Sequence, residues 1–136
     1  MLKEMLFDST PDRLLGKMLD KAALFQRVIS SNVANIGTPG YERLGVSFDE
    51  SLRKAMRAAR TKMISTDPRH LPAPDLLDKV KPEAVKVADG YWNGINNVNI
   101  DQEMTDLARN QLDFDMAARL LNQRFTGLRT AIRGRR

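Results

Sequence analysis

The residues able to do chemistry are few and poorly placed for it. His70 is the only histidine and cysteine is absent, so a metal site would have to join one imidazole to carboxylates, a weak donor set. His70 lies between Asp67 and Asp75 in a proline-rich stretch, where a solvated ring or a local hydrogen bond is the simpler reading. Ser30, Ser31 and Ser47 have no glycine elbow around them to expose a nucleophile. Asp101, Glu103 and Asp106 crowd one end of a helical pattern, but no second acidic helix faces them to close a carboxylate cage. There is no glycine loop to cradle a phosphate. The expectation is a chain that is not an enzyme, with no metal, cofactor or small-molecule substrate.

Charge offers a different chemistry. The net charge is +5, and it is unevenly placed. Five basic residues and no acid fall between Ser51 and Lys62, and six arginines and no acid between Met116 and Arg136. Asp101 to Asp115 holds five acids against Arg109 alone. A basic field can neutralise a nucleic-acid backbone, but no aromatic residue interleaves the basic run Arg53, Lys54, Arg57, Arg60 and Lys62, as single-strand binding would want. The arginines near the C-terminus stand beside an apolar stripe. No nucleic-acid partner is therefore expected. A helical adaptor with solvated charges and a nucleic-acid-binding protein using its basic surface remain the alternatives.

Two long elements must position whatever the chain does. Ile100, Met104, Leu107, Gln111, Phe114, Ala118, Leu121, Phe125, Leu128 and Ile132 follow one another at alternating spacings of four and three. This predicts one long helix with a seam that supercoils gently to the left against a partner. A helix of this length with one wet face is rarely stable alone. Leu15, Met18, Ala22, Phe25, Ile29, Asn32 and Ile36 repeat the spacing near the other end of the chain, with Leu19, Val28 and Val33 widening the stripe. The two are expected to lie side by side, parallel or antiparallel. Two helices make a thin core, and flanking apolar residues such as Leu19, Val33 and Leu120 stay partly exposed, the mark of a protein completed by assembly.

The expected fold class is all-α: long N- and C-terminal helices in a coiled-coil-like pair, with a partly disordered centre holding one short helix. The segments are 1–36, helical; 37–99, a flexible connection; and 100–136, the long helix. Pro11 at a first helical position after Ser9 or Thr10 predicts the first helix over about 11–35. Gly37 is expected to close it in the left-handed conformation, and Pro39-Gly40 to form a turn. Asn32, on the seam, either fixes register or bonds the turn that follows. Ser47 and Glu50 stand as a capping box before a helix near 48–62. Val80, Val85 and Val87 are candidate strand positions able to add an edge to another sheet. Asn93-Gly94 signals a turn, Tyr91 and Trp92 would anchor the foot of the long helix, and Asn99 or Asp101 would cap it.

No run of 18 apolar residues is present, so no membrane insertion is expected. The stretch from Met1 to Phe7 is too short and mixed to be the apolar core of a cleaved signal.

The run Ser31-Asn32-Val33-Ala34-Asn35-Ile36-Gly37-Thr38-Pro39-Gly40-Tyr41 resembles the N-terminal motif shared by the axial proteins of the bacterial flagellum, the rod, hook and hook-associated subunits. Val46-Ser47-Phe48, Thr66-Asp67-Pro68-Arg69-His70-Leu71 and Asn97-Val98-Asn99-Ile100-Asp101-Gln102-Glu103-Met104 follow in the order that marks the proximal-rod members. The likeness runs from about Leu14 to Ile132. One departure is visible: Gly94-Ile95-Asn96-Asn97 precedes Val98, where the family commonly has Asp-Gly-Asn.

The resemblance implies a subunit made in the cytoplasm, exported through the flagellum's own channel without a cleaved signal, and polymerised across the periplasm. The two helical stripes would form the inner layer of the shaft. Asn32, Asn35, Thr38, Pro39, Gly40 and Tyr41 would be the turn at the end of the first helix. Copies of the chain, other rod proteins, and the basal-body adaptor and export-gate proteins would be its partners.

Overall fold

The computed structural model describes residues 10–60, 76–88 and 90–134. In chain order these form α1 (Thr10–Ala34), β1 (Leu44–Ser47), α2 (Asp49–Arg60), α3 (Leu76–Lys79), β2 (Glu83–Lys86) and α4 (Ile100–Arg133). His70, the N-terminal stretch to Ser9 and the end of the expected 48–62 helix lie outside the described residues.

α1 and α4 pack along each other and run antiparallel. Asp12 meets Arg124, with Oδ1 3.0 Å from Nε. Further along, the Asn110 amide donates to the Ala22 carbonyl at 3.0 Å, and the Asn32 amide to Glu103 Oε2 at 3.1 Å. With 34 residues, α4 is about 50 Å long. Asn99 caps its start, accepting from the backbone N–H of Asp101 and Gln102, and Gly134 closes its end in the left-handed conformation with φ 60°.

The stripe of α1 faces its partner as its spacing predicts: Ala22, Val28, Ile29 and Asn32 are buried. The stripe of α4 is turned. The buried positions are Glu103, Asn110 and Ala117, seven apart, while Ile100, Met104, Phe114, Phe125 and Ile132 are exposed. At about 100° per residue, a line through 104, 111 and 118 stands a full residue-step round the helix from one through 103, 110 and 117. Leu107, Ala118, Leu121 and Leu128 are half-buried. The sequence pattern marks where apolar side chains lie, but α1 takes only one flank of them.

Between the long helices the chain builds a β-ribbon that the all-α expectation did not contain. β1 and β2 pair antiparallel, Leu44 opposite Lys86 through Ser47 opposite Glu83. The valine-bearing segment thus finds its edge within the same chain. Val85 lies in β2, Val87 donates to the Arg43 carbonyl at 2.9 Å just beyond it, and Val80 is buried elsewhere. A Cβ at Gly45 would stand 2.6 Å from Val87 Cγ2, so a side chain there would force the valine to shift.

A second, small core lies beside the ribbon: Phe48, Ala55, Leu77 and Val80, flanked by Val46, Leu52 and Leu76. Ser47 ends β1 and does not cap α2; the Phe48 carbonyl accepts the first helical bond, from Leu52 at 2.9 Å. Polar contacts tie this core to α1. Lys21 Nζ reaches Asp49 Oδ1 at 2.7 Å and lies 5.9 Å from the Phe48 ring centre. Arg13 Nη2 meets Asp78 Oδ1 at 2.6 Å.

Candidate assembly interface

The turn after α1 places its residues at the foot of α4. Gly37 does not have positive φ, so it is not the left-handed closure the sequence suggested; Gly40 does, at 71°. With Pro39 before it and the Tyr41 N–H bonded to the Thr38 carbonyl at 3.3 Å, Thr38 to Tyr41 form a turn of the type that needs proline first and glycine second. One side chain braces this turn from outside. Asn96, fully buried, directs its amide at the carbonyls of Asn35, Ile36 and Thr38, each at 3.0 Å. Asn96 therefore pins the turn after α1 from about 60 residues away in the chain.

Asn96 is held by its own loop. Asn93 Oδ1 accepts from the backbone N–H of Ile95 and Asn96, both at 2.8 Å, and Gly94 takes φ 97°, so the Asn93-Gly94 signal is a turn. Asn97 accepts from Arg43 N–H at 2.7 Å and donates to the Val87 carbonyl at 2.8 Å, closing the end of the ribbon. Trp92 does not cover the first turn of α4; it is 64% exposed. Asparagine side chains do the anchoring assigned to the aromatics.

The centre of the junction is an ionic cluster. Glu103, fully buried, pairs through Oε1 with Arg43 Nε at 2.6 Å, and Asp106 Oδ2 meets Arg43 Nη2 at 3.1 Å. Asn32 joins the cluster to the backbone. Its amide donates to Glu103 and to the Leu44 carbonyl, and its oxygen accepts from Leu44 N–H at 2.9 Å and Tyr41 O–H at 3.0 Å. Ser31 Oγ lies 3.2 Å from the Tyr41 hydroxyl, and Asn35 donates to the Ser31 carbonyl and accepts from Thr38. The turn residues Asn32, Asn35, Thr38, Pro39, Gly40 and Tyr41 are thus brought together, with Asn32 binding the turn's exit to the long helix.

Sequence reasoning did not find Arg43, Asn96, Asn97 or Asn110. The four asparagines between Asn93 and Asn99 were a signal, since such side chains complete backbone hydrogen bonds in irregular chain. By position alone Glu103 is a first-turn acid favouring the helix dipole; its heptad spacing from Asn110 was the sign that it faces inward.

Nothing in this junction is built for catalysis. Its polar groups are spent on one another, and among the described residues no group of three or more acids and histidines could hold a metal ion. What remains open is surface. Met104, at 43%, Phe114 and Phe125 line one flank of α4, and Leu112, Met116 and Leu120 another. No helix of the described residues is long and apolar enough to cross a membrane.

No protein-family model matches the chain. Comparison with individual proteins is decisive. The flagellar basal body rod protein FlgB of Bacillus subtilis is 37% identical over 123 residues, which cover 88% of this chain and 91% of that one. FlgB of Escherichia coli K12 is 29% identical over 121 residues, covering 85% and 88%. FlgB of Aeromonas hydrophila is 29% identical over 111, covering 79% and 80%. With its paired terminal helices and its turn locked to the foot of the second, the chain belongs to the FlgB family of flagellar basal body rod proteins.

Proposed function

We propose that this chain is a structural subunit of the proximal rod of the bacterial flagellar basal body. It polymerises through its terminal helices into part of a shaft that transmits torque and encloses the export channel. The observation that carries this reading is the apolar surface α1 leaves uncovered on α4: Ile100, Met104, Phe114, Phe125 and Ile132 on one flank. Apolar stripes of this length on a rigid helix are covered by other helices.

Within that reading, Leu15, Met18, Ala22, Phe25, Ile29 and Ile36 of the first stripe and Leu107, Ala118, Leu121 and Leu128 of α4 serve two ends. They hold the pair together and, where half-exposed, extend the contact to neighbours. Each large apolar side chain among them, once covered, contributes roughly 1.5–3 kcal/mol. Many shallow contacts along stiff rods suit a shaft, and they make a subunit far firmer when surrounded than alone. Partners are copies of itself and other rod proteins, with the adaptor and export gate below, in the periplasm after export without a cleaved signal. The family is structural and not enzymatic.

The test is imaging of basal bodies from the source bacterium with and without this chain. The expected result is a rod missing its base when the chain is absent, and helical density matching α1 and α4 near the axis when it is restored. A complete rod built without it would overturn the proposal.

A further inference from the structure

A shallow groove of about 280 Å³ opens beside the small core. Its floor includes Ala55, Leu76 and Val80, and Lys54, Lys79 and Lys81 rim it, with Glu83 the one carboxylate in its lining. Among the described residues none of these three lysines has a carboxylate partner. Six of the described acids, Asp12, Glu42, Asp49, Asp78, Glu103 and Asp106, sit in ion pairs with other residues. Of the acids outside those pairs, Asp101, Asp113 and Asp115 lie on α4.

Two of them flank the second apolar face of that helix. Leu112 is 70% exposed and Met116 52%, with Leu120 one turn on. They recur every four residues and so share one side of the helix. This side points away from the buried line of Glu103, Asn110 and Ala117, so α1 cannot cover it. Asp113 and Asp115 stand on either side of the stripe.

We propose that the lysine-rimmed groove of one copy receives the Leu112–Met116 stripe of α4 from the next copy, with Asp113 and Asp115 meeting the rim lysines. The groove has room for one or two side chains of that size, and the charges complement each other. Groove and stripe occupy different parts of the subunit, so the contact is heterologous: it propagates as an open helix and does not close into a dimer. The inference rests on the polymerising reading above and names a lateral contact for it.

The natural absence of cysteine makes disulfide trapping clean. The full chain is prepared as Ser51→Cys, at the groove, and as Met116→Cys, on the stripe, and the two are mixed under mild oxidant. Formation of a disulfide removes two thiol protons and two electrons to the oxidant, oxidised glutathione. The expected product is a mixed dimer that neither variant forms alone and that exceeds the product of Met116→Cys with a Ser30→Cys control.

Lys79→Glu/Lys81→Glu in the groove partner should lower the yield by about tenfold, as two exposed pairs turn repulsive. Asp113→Lys/Asp115→Lys in the stripe partner should restore it. Circular dichroism checks that each variant keeps its helices. A mixed yield no greater than the control, a Met116→Cys homodimer of equal yield, or a charge swap without rescue would overturn the contact. If sedimentation still shows polymers in that case, the rod reading stands and the groove contact alone falls; if the chain does not self-associate at all, both fall.

Discussion

Asn32 meets four partners with two atoms, and the positions around it repeat that economy. Arg43 holds Glu103 and Asp106 at once, and Asn96 gathers three carbonyls. A buried ion pair is expensive to break because the partner left behind stays desolvated. Arg43→Met is therefore expected to cost about 3–5 kcal/mol, and Arg43→Met/Glu103→Met should recover most of that, read as the midpoint of urea unfolding. A double variant as unstable as the single would mean that the cluster is not a closed unit. Asn96→Ala should cost roughly 1–3 kcal/mol by removing the buried side chain that bonds the Ile36 carbonyl and braces the turn. Gly45→Ala must shift the Val87 side chain, an overpacking penalty of about 1–3 kcal/mol, and Gly40→Val puts a β-branched residue at φ 71°. Both should lower the midpoint of the same urea curve. None of these partnerships is legible in the sequence. It shows asparagines and an arginine, but which carbonyl each one reaches depends on a meeting of segments about 60 residues apart.

At the scale of elements, period was readable and phase was not. The three-four spacing predicted both long helices and their pairing, because burying an apolar stripe leaves few other arrangements. The apolar pattern alone did not say which flank of α4 would meet α1, since Glu103 and Asn110, the residues that decide, are polar and show only through their own heptad spacing. The ribbon was half visible: the valines in and around β2 stand out, while β1, only four residues long and including a glycine, has too little alternation to be recognised. The phase has a measurable consequence. Phe114 is exposed in the single subunit, so Phe114→Asp should leave stability within about 0.5 kcal/mol of the parent yet block assembly. Leu121→Asp, half-buried toward α1, should damage both. Circular dichroism melts and sedimentation separate the two outcomes, and equal loss of fold in both variants would contradict this register.

For the whole molecule, the polar ties concentrate at one pole. The turn, the asparagine loop and the Arg43 cluster gather where α1 ends and α4 begins, whereas the last buried residue along α4 is Ala117. Beyond it Ala118, Leu121 and Leu128 are half-covered and the rest of the helix to Arg133 is exposed. Local stability follows burial, so amide exchange should be slowest between about Glu103 and Ala117 and quicken steadily toward Arg133. The isolated chain then behaves as a cantilever, clamped at its base and supple at its tip. In the proposed shaft a newcomer docking against that tip would stiffen it, so each subunit added would finish the one before it and carry the compliant end forward.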